Sequence, residues 1–183
     1  MIRLLDFVFS LLGLLILSPI IFILLILGYF DTGSPIFKQE RVGKHKRSFM
    51  LFKFRSMHVH TQSVATHLAS SSSFTPFGKF LRSSKLDELP QLFNVLFGDM
   101  SLVGPRPNLF NQEELINERD KRGVYNVRPG ITVLAQIKKI DMSTPILLAE
   151  TDALMTSSFS LIFYFKYKIL TIFGKGSGDR IVQ

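Results

Sequence analysis

The stretch that decides the architecture is residues 7–30, which read FVFSLLGLLILSPIIFILLILGYF and contain no charged side chain. A helix needs roughly 20 consecutive apolar residues to cross the hydrocarbon core of a bilayer, so this run is long enough to enter a membrane. The run exceeds the roughly 7–15 residues of a signal-peptide core, and no small-x-small cleavage site follows it. We therefore expect a membrane anchor over residues 1–31 that stays attached to the rest of the chain.

Ser18 and Pro19 lie near the middle of this apolar run. A proline inside a helix removes one backbone hydrogen bond and bends the helix, and a neighbouring serine can satisfy backbone groups that are freed. Arg3 precedes the run, and several lysines and arginines follow it. The tendency of basic residues to stay cytoplasmic fits two cytoplasmic ends at least as well as one crossing. These residues alone leave a kinked spanning helix and a re-entrant helix as equal alternatives.

The composition limits the classes of partner and of chemistry. The chain has 183 residues, a formal net charge of +8 and no cysteine. This length allows one modest domain, residues 32–183, beside the anchor. The lack of cysteine excludes disulfides and thiolate catalysis, and the basic charge favours phospholipids, nucleotide phosphates or nucleic acid as partners. The basic residues are dispersed and no nucleic-acid-binding motif accompanies them, so we expect no nucleic-acid partner.

Beyond the anchor, the sequence predicts a mostly α domain with a small β element, an α+β fold. Short strands and turns are expected over residues 33–57, where alternation places Lys53 and Arg55 on one strand face. A polar, serine-rich stretch over residues 60–73 predicts a flexible loop. A helix should follow Pro76, and its expected buried positions are Phe77, Phe80 and Leu81.

Four more elements are predicted towards the C-terminus. An amphipathic helix should begin near residues 84–87, because Pro90 is tolerated only in a first turn, and end at Phe97. A polar helix over residues 108–122 and a β-like run over 131–137 should follow. Residues 159–173 are almost entirely apolar and predict a helix that lies in the membrane interface, with a core helix as the alternative.

Two adjacent acids, Asp87 and Glu88, are the candidates for catalysis. Acids at a helix start usually cap the helix or interact with its dipole, and that structural role is the alternative for this pair. Arg82 precedes the acids, and Arg106 lies between two prolines that restrict its backbone. A carboxylate attacks phosphorus only when it is ionised and the phosphoryl oxygens are neutralised, so these residue types with a divalent cation suit phosphoryl transfer.

The run at residues 84–107 reads SKLDELPQLFNVLFGDMSLVGPRP and resembles the signature of the bacterial sugar transferase family, the small monotopic phosphoglycosyl transferases. Residues 37–43 (FKQERVG), 52–57 (FKFRSM) and 128–132 (RPGIT) are similar to further blocks of the family in the same order. The resemblance therefore covers nearly the whole chain.

The resemblance implies an enzyme that moves a sugar 1-phosphate from a UDP-sugar to a polyprenyl (undecaprenyl) phosphate and releases UMP. It implies that Asp87 is the nucleophile of a covalent aspartyl phosphosugar intermediate and that Glu88 helps to hold Mg²⁺. The basic residues at family positions are the candidates for binding the substrate phosphates, namely Lys53, Arg55, Arg82, Arg106 and Arg128.

For the anchor, the resemblance implies that Ser18 and Pro19 break a re-entrant helix whose two ends both lie in the cytoplasm. The protein would then reside in a bacterial inner membrane with its catalytic domain on the cytoplasmic face. It would initiate synthesis of a glycoconjugate such as O-antigen, capsule or a glycoprotein glycan. The resemblance does not identify the sugar, and it leaves a homodimer open.

Two departures from the family pattern bear on substrate recognition. Relatives commonly have Gly-Arg-Asn shortly after the segment that matches residues 131–136, whereas this chain reads IKKID at 137–141. Lys139 could supply the charge of that arginine but not its planar fork. Many relatives also carry an aspartate in the C-terminal apolar helix, where this chain reads Phe163-Tyr164-Phe165. The alternative function is a non-enzymatic membrane-anchored scaffold, in which Asp87 and Glu88 only cap a helix.

Overall fold

The structure is a computed structural model that describes residues 1–59, 61, 71–157 and 160–172. Within these residues the chain forms seven α-helices and two small two-stranded sheets. The prediction of a mostly helical protein with a small β element is confirmed. The predicted loop over residues 60–73 falls largely outside the described residues.

Helix α1 spans Ile2–Thr32 and ends at Gly33, whose left-handed backbone (φ 71°) closes the last turn. The helix continues through Pro19. Pro19 lacks the N–H that would bind the carbonyl of Leu15, and the hydroxyl of Ser18 donates to that carbonyl instead (2.8 Å). In the described part of the chain, α1 is the one helix long and apolar enough to cross a membrane.

One face of α1 packs on the rest of the domain in both halves of the helix. Asp6, Ser10 and Leu14 are buried in the N-terminal half, and Leu24 and Gly28 are buried in the C-terminal half. The remaining surface of α1 is exposed and apolar, with large side chains that include Leu12, Leu15, Ile16, Phe22, Ile23 and Phe30. An exposed apolar surface of this extent marks a contact with membrane or protein. α1 therefore packs one face on the domain and leaves its other, apolar face for a membrane or another protein.

Strands β1 (Ile36–Val42) and β2 (Ser48–Phe54) form an antiparallel hairpin closed by a 3-10 turn at Lys44–Lys46. The predicted strands and turns in this region are confirmed. The register pairs Phe37 with Lys53. Leu51 and Phe54 are buried in two hydrophobic clusters, so the hairpin and its basic residues are fixed on the domain.

Strands β3 (Ser101–Val103) and β4 (Gly130–Thr132) pair in parallel. The predicted β-like run over 131–137 is wrong beyond β4, because Leu134–Ile137 form helix α5. β3 offers only three residues for pairing, so a longer β4 would lack a ladder partner. Gly130 is needed where the strands approach, since a Cβ there would lie 2.0 Å from the nitrogen of Gly104.

Helix α2 (Pro76–Ser83) begins after Thr75, whose hydroxyl accepts a hydrogen bond from the N–H of Gly78 (2.8 Å). Leu81 is buried as predicted and Phe77 is half-buried, but Phe80 is 53% exposed. The burial prediction for Phe80 is wrong because Gly78 and Leu81 form the inner face of this short helix, and Phe80 lies on the other side.

Helix α3 spans Gln91–Phe97, so the predicted start near residues 84–87 is wrong. Leu86–Glu88 form a separate 3-10 turn, and Pro90 is the N-cap residue of α3. Proline has no N–H to donate, and its ring clashes with the carbonyl four residues earlier, so a continuous helix through this position is disfavoured. The acid pair therefore lies on a turn before the helix rather than in its first turn.

Helix α4 spans Glu113–Lys121 and is shorter than the predicted 108–122. Its start is delayed because Asn108 is fully buried in a loop, and the Gln112 side chain accepts from the N–H of Leu109 (2.9 Å). Helix α6 (Pro145–Ser157) was not predicted. It packs against α4 around a second cluster formed by Leu115, Val133, Ala135, Leu148 and Ala149.

Helix α7 (Leu161–Ile172) has one packed face and one exposed apolar face. Tyr164 and Tyr167 are buried in the main hydrophobic cluster, whereas Ile162 and Ile169 are 79% and 52% exposed. The hydroxyl of Tyr164 donates to Oδ1 of Asp6 (2.8 Å) and so connects α7 to the start of α1. The predicted helix is confirmed over Leu161–Ile172, and its packed face fits the core-helix alternative. Its placement in a membrane interface stays a prediction, and residues 159 and 173 lie outside the described part.

Candidate functional site

The acids Asp87 and Glu88 lie on the short 3-10 turn between α2 and α3. Lys85 leads into the turn with a φ of 58°, a left-handed conformation that non-glycine residues rarely adopt. Leu86 and Leu89, on either side of the acids, pack against the cluster of Leu24, Phe54 and Leu81. Packing on both sides therefore fixes the position of the acid pair.

Asp87 is 6% exposed, and its carboxyl group lies among charged groups. Burial is the largest influence and raises the pKa of Asp87 above its ordinary value. Among the charges, Lys53 lowers this pKa, Glu88 raises it, and Arg82 and Arg106 lower it. The ionised form of Asp87 is thus opposed by burial and by Glu88 and supported by three nearby cations.

The side chain of Glu88 connects the turn to two of these cations. Its Oε1 lies 3.4 Å from Nζ of Lys53 and 3.6 Å from a guanidinium nitrogen of Arg106. All three side chains are largely buried, so salt screens these pairs less than surface pairs. The three residues border a surface cleft whose other lining residues are Arg41, Leu51, Gln91, Pro107, Gly130 and Ile131. The cleft thus presents cations and a carboxylate together.

Lys53 is held opposite Glu88 by a buried side chain of α3. The amide of Asn94, which is fully buried, donates from Nδ2 to the carbonyl of Met50 (2.7 Å) and accepts at Oδ1 from the N–H of Phe52 (3.0 Å). Asn94 therefore pairs with β2 as a neighbouring strand would. Because α3 directly follows the acid pair, this contact fixes the position of Lys53 relative to Glu88.

Replacing Asn94 with leucine is expected to destabilise the protein by about 2–4 kcal/mol, because a buried N–H and a buried carbonyl of β2 each lose their partner. Thermal unfolding in detergent measures this change. Asn117→Leu, at an exposed position of α4, is the matched control and should stay within about 0.5 kcal/mol of the wild type. Equal unfolding temperatures for both variants would contradict the role given to Asn94.

Three of the five predicted phosphate-binding residues lie at the acid pair. Lys53 and Arg106 contact Glu88, and Arg82 is close enough to lower the pKa of Asp87. The guanidinium of Arg82 also lies over the ring of Phe74, 5.0 Å from its centroid. These three cations therefore surround the two acids from β2, from α2 and from the segment after β3.

The contacts of Arg55 and Arg128 are directed elsewhere. Arg55 donates from Nε to the carbonyl of Ser34 (2.8 Å), in the segment that follows α1. Arg128 donates from Nε to the carbonyl of Gly98 (2.7 Å), the residue that ends α3. A cation at the C-terminal end of a helix interacts favourably with the helix dipole, so this contact of Arg128 is structural. Phosphate binding by these two arginines stays a prediction.

Two residues of the cleft, Arg41 and Gln91, were not among the predicted site residues. Arg41 donates to the carbonyl of Pro107 (3.2 Å) and so ties β1 to the segment that carries Arg106. Gln91 is buried at the first position of α3. Both residues fall inside the blocks of sequence that resemble the family. Whether their side chains point into the cleft depends on the register of β1 with β2 and on the residue at which α3 begins, and the sequence pattern predicted neither.

The fit to Mg²⁺ depends on Asp87 and Glu88. Among the described residues, no group of three or more His, Cys, Asp or Glu side chains could hold a metal ion. Mg²⁺ usually keeps several waters and is bound through one or two carboxylates together with substrate phosphates. The adjacent carboxylates therefore fit a Mg²⁺ ion that binds with a phosphate-containing substrate, and they do not fit a site made of protein ligands alone.

An apolar N-terminal helix on a small domain marks a membrane-associated protein, and the buried acid pair of this domain lies beside a cationic cleft. Residues 1–175 match the family described as bacterial sugar transferase, and the chain belongs to this family. The resemblance seen in the sequence is therefore confirmed.

Several relatives are similar over most of this chain. EpsL of Bacillus subtilis (strain 168), named an uncharacterized sugar transferase, is 37% identical over 171 residues, which cover 93% of this chain and 84% of EpsL. A UDP-glucose:undecaprenyl-phosphate glucose-1-phosphate transferase of Klebsiella pneumoniae is 39% identical and covers 93% of this chain but 39% of its own length. A protein of the same name from Xanthomonas campestris pv. campestris is 44% identical over 63% of this chain and 25% of its own length. The chain thus spans only part of these two named transferases.

Proposed function

We propose that this protein transfers a sugar 1-phosphate from a UDP-sugar to a polyprenyl phosphate, such as undecaprenyl phosphate, through a covalent intermediate on Asp87. The observation that carries the proposal is the buried carboxyl group of Asp87, which lies beside Glu88 and within the influence of Lys53, Arg82 and Arg106. The names of two relatives describe glucose-1-phosphate transferases that act on UDP-glucose and undecaprenyl phosphate, which supports the same class of reaction.

In the first step, a carboxylate oxygen of Asp87 attacks the phosphorus that carries the sugar. A P–O bond forms to Asp87, the bond between this phosphorus and the bridging oxygen breaks, and UMP leaves with the electron pair. Lys53 and Arg106, at the edge of the cleft, reduce the repulsion between the attacking carboxylate and the phosphoryl oxygens. The protein thus contributes mainly position and charge, as is usual for phosphoryl transfer.

In the second step, an oxygen of the polyprenyl phosphate attacks the same phosphorus. The bond to Asp87 breaks, the carboxylate is regenerated, and the sugar leaves as a polyprenyl diphosphate sugar. This product would start the assembly of a glycoconjugate such as O-antigen, capsule or a glycoprotein glycan. The two-step route requires that one equivalent of UMP can be released before the lipid acceptor is present.

Glu88, assisted by Asp87, is the residue that would hold Mg²⁺ at the diphosphate of the donor. The ion supplies neutralisation of phosphoryl charge when it is bound. Glu88 suits this role better than Asp87, because the Glu88 side chain lines the cleft and Asp87 must keep an oxygen for attack. Lys53 and Arg106 lie within 3.6 Å of Glu88, so a metal ion held by Glu88 would add its charge to theirs at the donor phosphates.

Glu88→Gln is therefore expected to weaken the apparent affinity for Mg²⁺ by about tenfold or more and to lower transfer strongly. A titration of activity against Mg²⁺ concentration measures both effects. Glu113→Gln, which neutralises an exposed acid on α4, is the matched control and should titrate like the wild type. A Glu88→Gln titration that overlays the wild type would remove Glu88 from the metal site.

The proposed placement of the anchor is re-entrant, with both ends of α1 on the cytoplasmic side. Near the start of α1, Arg3 donates to the carbonyls of Val95 and Leu96, and Asp6 accepts from the N–H of Leu102 (3.0 Å). A helix that crossed the bilayer would separate its two ends by the membrane. Contacts of both ends with one domain therefore favour the re-entrant alternative that the residues alone left open.

The other end of α1 has its own contact with the domain. Asp31 accepts at Oδ2 from the hydroxyl of Thr75 (2.7 Å), and Thr75 is the N-cap residue of α2. α2 in turn leads to Arg82 and to the acid turn. The anchor is thus joined to the site by a short, hydrogen-bonded path, which supports a catalytic domain apposed to the inner face of the bacterial membrane.

Access of the lipid acceptor is supported by the exposed apolar side chains outside α1. Phe93 and Phe97 on α3 are 39% and 69% exposed, and Ile162 and Ile169 on α7 are also exposed. α3 begins three residues after Glu88, so its exposed aromatic residues follow the acid pair closely in sequence. A polyprenyl phosphate in the same membrane could then present its headgroup without leaving the bilayer.

The experiment that tests the function is an incubation of the purified chain in lipid nanodiscs with undecaprenyl phosphate, Mg²⁺ and a panel of UDP-sugars. The expected result is release of UMP and formation of a lipid-linked sugar with at least one donor. A non-enzymatic scaffold would give neither product with any donor, and that outcome would overturn the proposal. The scaffold alternative also does not explain why three cations surround Asp87 and Glu88.

A further inference from the structure

The most deeply buried charges of the described chain lie away from the acid pair, on α4 and α6. Arg119 and Asp152 are 1% and 0% exposed, and Oδ2 of Asp152 accepts from Nε (3.0 Å) and from a terminal nitrogen (2.6 Å) of Arg119. Burial raises the pKa of Asp152, and Arg119 lowers it. A buried ion pair of this kind is weak support for stability, because desolvation offsets much of the attraction. Its position in the fold points to another role.

The remaining terminal nitrogen of Arg119 is directed towards the active-site segment. It donates to the backbone carbonyl of Arg106 (2.9 Å) and to Oδ1 of Asn108 (2.8 Å). The hydroxyl of Tyr125 donates to the same Oδ1 (3.0 Å), so the Asn108 side chain is held from two elements. Arg119 therefore binds the backbone of the residue whose own guanidinium lies 3.6 Å from Glu88.

The same segment is held on its other side by β1. The N–H of Val42 donates to the carbonyl of Asn108 (3.0 Å), and Arg41 donates to the carbonyl of Pro107 (3.2 Å). Three consecutive carbonyls, those of residues 106–108, thus each accept a bond from a neighbouring element. Of these three carbonyls, that of Arg106 is the one bound by Arg119 of the buried charged pair.

We propose that Arg119, oriented by Asp152, is a positioning residue that fixes the backbone of Arg106 so that its guanidinium faces Glu88 and the phosphates of the donor. This inference rests on the proposed function for its effect on transfer. A displacement of about 1 Å at a reacting group can lower a rate by as much as a hundredfold, so a residue without substrate contact can have a large effect.

Arginine is required at position 119 because the role needs a fork. One side chain must bind Asp152 through two nitrogens and the carbonyl of Arg106 through a third, which a lysine ammonium on a flexible stem cannot reproduce. Asp152→Asn changes the pair in a second way. The amide keeps the volume and an acceptor oxygen for Arg119 but loses the charge that orients the guanidinium.

The test is a double-mutant cycle on the whole chain in nanodiscs, which compares Arg119→Lys, Arg106→Ala and the double variant. Two quantities are measured for each protein: the rate of transfer and the affinity for UDP in the presence of Mg²⁺. Arg119→Lys is expected to lower transfer about tenfold or more, and the double variant should be no worse than Arg106→Ala, because Arg119 acts through Arg106. Asp152→Asn, which keeps the volume, repeats the measurement if Arg119→Lys fails to fold. Arg122→Lys, a surface arginine of the same helix region, is the control and should match the wild type.

A double variant whose loss equals the product of the two single losses would overturn the positioning role, and so would an Arg119→Lys protein with wild-type transfer and binding and only a lower unfolding temperature. The UDP-binding cycle separates this inference from the proposed function. If the wild type releases no UMP with any donor but the binding cycle is non-additive, the function fails and the positioning role stands. If transfer occurs and both cycles are additive, the function stands and the positioning role fails.

Discussion

Asp87→Asn is expected to abolish transfer, by about a thousandfold or more, while the protein stays folded and bound to the membrane. The amide has nearly the volume of the carboxyl, so the packing of this buried side chain is kept, but the attacking oxygen is lost. Steady-state formation of lipid-linked sugar measures the change, and unfolding temperature and membrane fractionation check the fold.

The matched control is Asp120→Asn, which neutralises a half-exposed aspartate paired with Lys46 on the surface. It should retain wild-type transfer, because surface pairs of this kind contribute little. Appreciable turnover by Asp87→Asn, in a preparation shown by mass spectrometry to be free of deamidated protein, would remove Asp87 as the nucleophile.

The second large effect concerns the side of the membrane on which the N-terminus lies. The chain has no cysteine, so single cysteines can be introduced without background: one inserted after Met1, close to Arg3, and one as Lys38→Cys. In intact spheroplasts both are expected to be shielded from an impermeant thiol reagent, and both should react once the membrane is opened. An N-terminal cysteine that reacts in intact spheroplasts, with the anchor otherwise unmodified, would make α1 an ordinary spanning helix.

Replacing Ser18 with alanine and Pro19 with leucine should favour a crossing. Leucine restores the N–H that binds the carbonyl of Leu15, which Ser18 now satisfies with its hydroxyl, and so removes the gap that Pro19 leaves in the backbone hydrogen bonds of α1. The N-terminal cysteine should then become accessible from outside in part of the protein, and transfer should fall because the contacts of Arg3 and Asp6 with the domain are lost. Unchanged labelling in this variant would show that Pro19 does not decide the orientation.

The features that could be predicted from the sequence are those with a strong local signal. The extent of α1 follows from 24 residues without a charge, and the hairpin follows from short apolar runs around a turn. The grouping of Asp87 and Glu88 with Arg82 and Arg106 follows from their residue types and their nearness in the chain, whereas Lys53 could be added to this group only because the spacing of the blocks resembles a family. The sequence pattern identified the types of residue in the site but did not predict that those far apart in the sequence lie close together in the folded chain.

The features that could not be predicted depend on partners distant in sequence. α3 begins at Gln91 because Pro90 ends the preceding turn, and β4 ends at Thr132 because β3 has only three residues to offer. The pairing of Arg119 with Asp152 joins residues 33 positions apart on two helices, one of which was not predicted. Sequence pattern also could not distinguish Arg106 at the cleft from Arg128, whose guanidinium binds the end of α3.

The central claim is that Asp87 carries the sugar phosphate between the donor and the lipid. The most direct test is the mass of the intact protein after a short incubation with UDP-sugar and Mg²⁺ in the absence of polyprenyl phosphate. The account predicts an added mass equal to one sugar phosphate, located on Asp87 by peptide analysis, absent from Asp87→Asn and lost when the acceptor is added. Efficient transfer with UMP released only when the acceptor is present, and no adduct at any time, would contradict it.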